Sequence, residues 1–341
     1  MARTAAASTV KRKKAATRTI PARDAMRARA VMRHHYLPAL LIDSGYGVSS
    51  PDSGDLDLSP FMETGANGAS VPQRIADAAR SVCRIDMIAH DGTAAHAGTG
   101  ILIAPDIAMT CRHVIAVAGG VYGDGESGKH WTIGASPVLQ AVFDPQPGTG
   151  SPRRKILSVL YCDDDPGSRL NLRKQEIALI ALEPDGGQPA PVLPIHDSTD
   201  GIPHDAAIAV IGFPGPDALG VKAADTAMAA QGNETPVSAM VMRVFGDDAA
   251  LQQGHMRAGI GRLIDVSRTA AARSYYSHNA PTMPGMSGGA VVDLASGKLI
   301  GLHCGGQHFI ANRFQFFAQL LRFLKDDHPC RKALTPFIQA P

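Results

Sequence analysis

A glycine-rich turn around one serine constrains what this chain can fold into more than any other feature. Residues 284–291 read Pro-Gly-Met-Ser-Gly-Gly-Ala-Val, and the glycines let the backbone curl tightly around Ser287. Far upstream, residues 110–114 read Thr-Cys-Arg-His-Val and place His113 directly after an apolar stretch. A serine hydroxyl is a weak nucleophile that needs a base within hydrogen-bond reach and backbone N–H groups aimed at the oxyanion. The two segments together indicate an acyl-transfer site, with the N–H groups of Gly285 and Ser287 as the expected oxyanion donors.

The serine turn also satisfies a second pattern, the Gly-x-Ser-x-Gly nucleophile elbow of α/β-hydrolases. That pattern requires a strand before the serine, a helix after it, and an acid and a histidine that follow in chain order. Here two apolar stretches, residues 290–294 and 298–302, flank Ala-Ser-Gly, which predicts a β-hairpin after the serine. The candidate histidine lies upstream. The order of elements therefore disfavours the elbow.

In these two segments the chain resembles bacterial trypsin-like serine proteases. Residues 98–114 are similar to the histidine segment of that family, and residues 282–293 with 299–306 are similar to its serine segment. The resemblance extends over about residues 78–325 and is strongest to the glutamyl endopeptidase branch. It implies an all-β fold of two six-stranded antiparallel β-barrels (chymotrypsin-like) with a C-terminal helix. It also implies a serine endopeptidase that needs no metal and no cofactor.

The resemblance implies roles for three residues: Ser287 as nucleophile, His113 as general base and an acid that orients the histidine. The family has an aspartate at the start of an apolar strand, and the matching position in residues 174–182 is Glu176. A glutamate is able to fill the role, because orienting an imidazole and stabilising its cation need only a carboxylate at the second ring nitrogen. Two alternatives remain open. The acid could come from the run Asp163, Asp164 and Asp165, or the chain could lack a functional acid and be a catalytically weak or inactive binding or scaffold protein with a protease fold.

Substrate preference is a further implication of the resemblance. In glutamyl endopeptidases a threonine five residues before the serine and a histidine in a later strand contact the acidic side chain at P1, the residue before the cleaved bond. Thr282 and His303 occupy the matching positions here. A hydroxyl and an imidazole recognise a carboxylate through charge-assisted hydrogen bonds. The alternative is that both side chains only pack the barrel.

The pattern of apolar and turn residues predicts the domain organisation. A chain of 341 residues that is 45% hydrophobic is long enough for one or two sizeable cores. Phe314, Phe317, Leu321 and Leu324 recur at helical spacing, which predicts a terminal amphipathic helix. The predicted parts are an arm and linker (1–68), a protease domain (69–330) with barrels at about 78–185 and 205–310 and a helix at about 312–325, and a tail (331–341).

The secondary structure predicted within that domain is mainly short strands. A helix is expected at 71–79, an inter-lobe connector at 183–205 and an irregular loop at 227–235. Strands are expected at 81–88, 101–104, 107–109, 156–161, 176–182, 207–213, 238–245, 259–266, 290–294 and 298–302.

Charge is concentrated at the N-terminus. Residues 1–33 hold ten of the 33 basic residues but one of the 31 acidic residues, a balance of +9, which leaves −7 for the remainder. Such a basic segment with almost no aromatic residues is typical of a disordered arm. It acts either as a solubilising tail or as a contact for nucleic acid or an acidic partner through charge neutralisation.

The remaining expectations concern location and partners. No stretch approaches 18 apolar residues, so no membrane span is expected, and residues 1–33 lack the apolar core of a secretory signal. Five scattered cysteines without a Cys-x-x-Cys pair fit free thiols in a cytoplasmic protein. The expected partner is a protein or peptide substrate.

Overall fold

A computed structural model provides the fold for most of the chain. The residues that it describes are 39–50, 69–125, 128–148, 150–164, 167, 169–171, 174–186, 191–196, 202–203, 205–215, 244–245, 254–264, 275–307 and 311–338.

Short strands dominate the described residues. The strands are β1 (Ala39–Ile42), β2 (Val48–Ser49), β3 (Val82–Ile88), β4 (Ala94–Ala104), β5 (Ile107–Thr110), β6 (Gly120–Gly125), β7 (Gly128–Ile133), β8 (Val138–Val142), β9 (Arg153–Cys162), β10 (Ala178–Leu182), β11 (Ala207–Gly212), β12 (Arg257–Ile264), β13 (Tyr275–His278), β14 (Ala290–Asp293), β15 (Leu299–Gln307) and β16 (Ala311–Phe316). Helices with full bounds are α1 (Val71–Ala79), α2 (Arg112–Val117), α3 (Phe317–Phe323) and α4 (Pro329–Ile338).

The first barrel is closed and contains six strands, in the order β10-β5-β4-β3-β8-β9. Each neighbouring pair is antiparallel. Its apolar side chains are fully buried at positions such as Ile85, Ile101, Met109 and Ile180, which fill the interior expected of a small barrel. A separate hairpin of β6 and β7 lies outside the barrel.

The second barrel also contains six antiparallel strands, in the order β11-β14-β15-β16-β13-β12, and a pairing between β11 and β12 closes it. Strand β11 explains why its sequence is apolar throughout. Ile208 and Val210 pack into one buried cluster, whereas Ala209 and Ile211 pack into the other. A strand that is buried on both faces loses the alternation of polar and apolar residues.

The prediction of an all-β fold with two six-stranded antiparallel barrels is confirmed by this topology. The predicted helix at 71–79 and the hairpin after the serine are also present. The strand predicted at 238–245 lies, up to residue 243, outside the described residues, as do the loop at 227–235 and residues 1–38 of the predicted arm. In the described part of the chain, no helix is both long and apolar enough to cross a membrane.

Three predicted boundaries were wrong. Residues 39–49 do not belong to a linker, because β1 pairs with β12 and buries Ala39, Leu40 and Ile42 completely. The predicted helix at 312–325 begins only at Phe317, because residues 311–316 form β16 between β13 and β15. The predicted tail at 331–341 contains most of α4, which buries Cys330 and Leu334.

Candidate active site

His113 lies in the first turn of α2, directly after the end of β5. Thr110 at the strand end donates its hydroxyl to the carbonyl of Thr99 at 2.6 Å, and Cys111 is the residue before the helix. This strand-to-helix junction keeps the imidazole of His113 mostly buried, with 13% of its side chain exposed. The strands predicted at 101–104 and 107–109 pair as a hairpin, and His113 follows the end of its second strand.

Glu176 contacts this histidine directly. Its Oε2 lies 2.8 Å from Nδ1 of His113 and also accepts the His113 backbone N–H at 3.2 Å. The carboxylate is completely buried, two residues before β10. Burial by itself raises the pKa of the Glu176 carboxyl, but the hydrogen bond and charge of His113, together with Arg112, outweigh burial and bring that pKa below its usual value.

The second oxygen of Glu176 has different partners. Oε1 accepts from Nη2 of Arg112 at 2.6 Å and from the backbone N–H of Asn171 at 3.2 Å. The Arg112 guanidinium is itself fully buried and also donates to the carbonyls of Gly167 and Arg169. Sequence reasoning missed Arg112, although its position next to His113 was a signal.

The second barrel holds the backbone of this acid. The Glu176 N–H donates to Oε1 of Gln315 in β16 at 2.8 Å, and the Tyr275 hydroxyl in β13 donates to the carbonyl of Lys174 at 2.7 Å. Gln315 is completely buried. Both residues lie at least 100 positions from Glu176 or Lys174 in sequence, so no local pattern identifies them.

The alternative acids have other contacts. Asp163 accepts the backbone N–H of Gln175 at 3.0 Å, and Lys174 forms ion pairs with both Asp163 and Asp164. The carbonyl of Asp163 accepts from the indole of Trp131 at 2.7 Å. Asp165 lies outside the described residues. The two described aspartates therefore hold the segment before Glu176, and it is Glu176 that contacts the imidazole.

The serine turn requires two of its glycines. Gly285 and Gly288 have φ values of 93° and 88°, in the left-handed region. A Cβ at Gly285 would collide with the backbone of Gly215, and a Cβ at Gly288 would collide with the carbonyl of Thr99. The turn is therefore packed against backbone on both sides of Ser287.

Thr99 links the serine turn to the first barrel. Its N–H donates to the carbonyl of Ser287 at 2.9 Å, and its hydroxyl donates to the carbonyl of Gly285, also at 2.9 Å. The same hydroxyl accepts the N–H of Phe213 at 3.0 Å. One completely buried threonine thus connects β4, the serine turn and the end of β11.

The carbonyl of His303 joins the histidine and serine segments. It accepts from Sγ of Cys111 at 3.2 Å and from the N–H of Gly288 at 2.7 Å. The Ser287 hydroxyl itself lies 3.5 Å from the carbonyl of Cys304, and no hydrogen bond to His113 is formed among the described residues. Catalytic hydrogen bonds are often long before substrate binds.

A cavity of about 190 Å³ lies beside Ser287. Thr282, His303 and Ser287 share it, so the structure brings the two predicted substrate contacts to the predicted nucleophile. The full lining is Thr282, Met283, Pro284, Ser287, His303, Gly305, Gly306 and Asn312.

His303 has a buried histidine neighbour that sequence reasoning missed. Nε2 of His278 lies 3.2 Å from Nδ1 of His303. Burial, with a smaller effect from the charge of His113, lowers the pKa of His303 to about 3. Burial also lowers the pKa of His278, and the charge of His303 adds to this effect. Both rings are therefore neutral at pH 7.

Ligand atoms of Cys111, His113 and Glu176 lie within 4.8 Å of one another, a spacing compatible with a metal ion. Their present contacts argue for a hydrogen-bonded network, because Glu176 binds His113 and Arg112 while the thiol donates to His303. The adjacent guanidinium would repel a cation. All five cysteines are free, and burial raises the pKa of the Cys111 thiol, which keeps it unreactive.

Comparison with known proteins gives one family and several similar structures. The family model described as "Trypsin-like peptidase domain" matches residues 98–302. The search of curated proteins finds no significant match. Among solved structures, the active form of the Rv3671c protease from M. tuberculosis is 18% identical with a TM-score of 0.42, covering 72% of this chain and 80% of that chain. A serine endoprotease from Yersinia pestis is 16% identical with a TM-score of 0.44, covering 80% and 67%. The HtrA-type protease AlgW with a tripeptide is 13% identical with a TM-score of 0.44, covering 80% and 64%.

Proposed function

Because this chain belongs to the trypsin-like peptidase domain family, we propose that it is a serine endopeptidase in which Ser287, His113 and Glu176 form the catalytic triad. The observation that carries this assignment is the 2.8 Å contact between Nδ1 of His113 and the buried carboxylate of Glu176. A carboxylate at that nitrogen leaves the other ring nitrogen free to act as a base.

The reaction has two steps. Ser287 Oγ attacks the scissile carbonyl while Nε2 of His113 takes its proton and then delivers it to the leaving amine, which produces an acyl-enzyme. Water, deprotonated by the same imidazole, then attacks the ester and releases the acid product and Ser287. Glu176 fixes the tautomer that carries the Nδ1 proton and stabilises the imidazolium that forms in each step.

The N–H groups of Gly285 and Ser287 would bind the oxyanion. The carbonyl of Pro284 accepts from the N–H of Gly215 at 2.7 Å, and the carbonyl of Met286 accepts from the N–H of Gly289 at 2.9 Å. In a planar trans peptide the C=O and N–H point in opposite directions. Both proposed donors therefore point away from those carbonyl partners, which supports a turn that is already arranged for the oxyanion before substrate binds.

A preference for acidic P1 residues is the finer part of the proposal, and it would place the chain with glutamyl endopeptidases. Thr282 and His303 share the cavity beside Ser287, and their hydroxyl and imidazole offer hydrogen-bond donors to a carboxylate. The buried His278 holds the ring of His303 in place. Cleavage of a peptide library should therefore favour Glu or Asp over Gln or Asn at P1, and His303→Gln should abolish that difference. Equal cleavage of all four residues by the wild type would refute the acidic preference and leave the peptidase assignment intact.

The assignment of the triad is tested by labelling purified protein with a fluorophosphonate probe. Ser287→Ala should abolish labelling and Glu176→Gln should reduce it strongly. Ser296→Ala is the matched control. Ser296 lies in the turn between β14 and β15, and its hydroxyl donates to the Asp293 carboxylate at 2.6 Å. This variant should label like the wild type.

Each contrary result points to a different error. Undiminished labelling of Glu176→Gln would remove Glu176 from the triad. A wild type that does not label would refute the active-enzyme proposal and favour a binding or scaffold protein with a protease fold.

A further inference from the structure

We propose that Arg112 is a positioning residue for the triad acid, because its guanidinium holds one oxygen of Glu176. The positive charge of Arg112 also lowers the pH at which the His113–Glu176 pair takes up its first proton. The proposal rests on the assignment of Glu176 as the orienting acid. In this arrangement Arg112 is a buried cation beside His113 and Glu176, the two groups that share the proton.

The contacts divide the carboxylate between two partners. Oε1 lies 2.6 Å from Nη2 of Arg112, whereas Oε2 lies 2.8 Å from Nδ1 of His113. The side chains of Arg112 and Glu176 are both completely buried. A buried ion pair of this kind fixes the direction of both groups, because neither is able to turn to water.

Arg112 is itself fixed on its far side. It donates to the carbonyl of Gly167 and, at 2.8 Å, to the carbonyl of Arg169. The backbone N–H of Asn171 then reaches the same carboxylate oxygen at 3.2 Å. The guanidinium therefore ties the loop before Glu176 to the carboxylate. A change at Arg112 should alter the position of the acid without touching a substrate.

The groups around this ion pair are neutral near pH 7. Cys111 beside α2, Cys162 in β9 and Tyr275 in β13 all interact electrostatically with Glu176. Burial raises the pKa of each of these three groups, and Arg112 opposes this effect for Cys162 and Tyr275. His303, which interacts electrostatically with His113, is also neutral, because burial lowers its pKa to about 3. The positive charge that faces this network from α2 is thus that of Arg112.

Removal of that charge has a defined sign. A proton on His113 is repelled by the guanidinium, and a proton on Glu176 competes with it. Either way, a neutral residue at position 112 makes the first proton bind more tightly. The titration midpoint of the pair should therefore rise when the guanidinium is removed. The expected rise is about one pH unit or more, because the guanidinium is buried 2.6 Å from the Glu176 carboxylate.

The test follows the imidazole of His113 by NMR during a pH titration in the Ser287→Ala background. Addition of Arg112→Gln should raise the midpoint by about one unit or more. Arg112→Lys keeps the positive charge but not the guanidinium fork, so its midpoint should lie closer to that of the Ser287→Ala parent than to that of Arg112→Gln. Arg154→Gln is the control, since Arg154 is also buried but bonds to the carbonyls of Glu183 and Pro105 at 2.6 and 2.7 Å. The control should not move the midpoint. An unchanged midpoint in Arg112→Gln would overturn the proposal.

This readout does not need activity, so it separates the role of Arg112 from failure of the peptidase assignment, which fluorophosphonate labelling tests. If Arg112→Gln does not fold, the double variant Arg112→Gln with Glu176→Gln decides the matter. The proposal requires the double variant to fold, because it removes both charges of the pair. Failure of the double variant as well would overturn the proposal and assign Arg112 to the loop carbonyls alone.

Discussion

One methylene distinguishes Glu176 from the aspartate that is usual at its position. The longer side chain starts two residues before β10 and reaches both the imidazole of His113 and the guanidinium of Arg112. An aspartate on the same backbone would withdraw the carboxylate by about 1.5 Å, the length of one C–C bond. The glutamate and the arginine are therefore matched in length.

Glu176→Asp should separate the charge of the acid from its reach. The charge is retained but at least one of the two side-chain contacts is lost, so labelling should slow by about 10- to 100-fold, compared with about 10⁴-fold for Glu176→Gln. The rate constant for labelling by a fluorophosphonate, measured at pH 7.5, gives both values. Equal rates for the Asp variant and the wild type would show that the reach of the side chain is unimportant.

Thr99→Val tests whether the serine turn depends on a single hydroxyl. The valine fills similar space but removes the bonds to Gly285 and Phe213, and it leaves the N–H of Phe213 without that acceptor. We expect a loss of about 1–3 kcal/mol in the free energy of unfolding, measured with urea, and slower labelling of Ser287. Thr132→Val is the control, because the exposed hydroxyl of Thr132 makes a longer bond of 3.3 Å to Val121. A loss as small as that of the control would contradict the role of Thr99.

At the scale of elements, β1 shows that the folded unit begins earlier than the sequence pattern indicates. Residues 39–42 read Ala-Leu-Leu-Ile and pair with β12, which also closes the second barrel. These four apolar residues precede the region of family resemblance, which begins at about residue 78, and their partner strand lies more than 200 positions away. The local sequence therefore did not identify them as a strand. Pairing with a distant edge decides their structure.

Leu40→Ala should therefore destabilise the second barrel. Leu40 is completely buried, and loss of a buried leucine side chain costs about 2–5 kcal/mol. Leu41→Ala, at the neighbouring half-buried position, should cost clearly less. Urea unfolding followed by fluorescence gives both values. Similar small losses for the two variants would mean that β1 contributes little to stability.

Strand β16 illustrates why one predicted element was wrong. Residues 314–316 read Phe-Gln-Phe, and this brief alternation ends at Phe317, so it is too short to indicate a strand by itself. The helical spacing of Phe314 with Phe317 and the leucines that follow then favours a longer helix. The polar Gln315 is buried because it binds the backbone of Glu176, a contact between barrels that the local sequence does not encode.

At the scale of the whole molecule, resemblance in two segments predicted the two-barrel fold, and it supplied the residues proposed for the active site. The pattern was sufficient where the structure depends on local backbone, as in the glycine turn around Ser287 and at the strand end before His113. It failed for Gln315 and Tyr275, which contact the segment of Glu176 only because the second barrel packs against the first. It also failed for His278, which meets His303 through the folding of the second barrel itself. Those contacts span from 25 to 139 positions in sequence, and spacing has no bearing on them.

Stability should fall in acid because two histidines are buried in the neutral form. The pKa of His303 is lowered to about 3 in the folded protein, and that of His278 is also lowered. The unfolded chain binds protons at these side chains near pH 6.5, so the stabilisation is complete above that pH and is lost as pH falls towards 3. His303 should contribute about 2 kcal/mol of the difference in unfolding free energy between pH 7.5 and pH 5, and His278 should add to it in the same direction.

Urea unfolding at several pH values measures this dependence. His278→Gln should flatten the curve between pH 7.5 and pH 5, whereas His90→Gln, at an exposed position, should leave its slope unchanged. A slope that is the same in both variants would place the acid sensitivity elsewhere.

The bond from Gln315 to the backbone of Glu176 has a practical consequence. The first half of the chain carries the proposed base and acid. The second half carries Gln315, whose side chain holds the backbone of Glu176, and the proposed nucleophile as well. If the two halves were produced as separate fragments, neither should label alone, and reassociation should restore labelling. The two fragments would then act as a split reporter, because labelling would show whether the two polypeptides have associated.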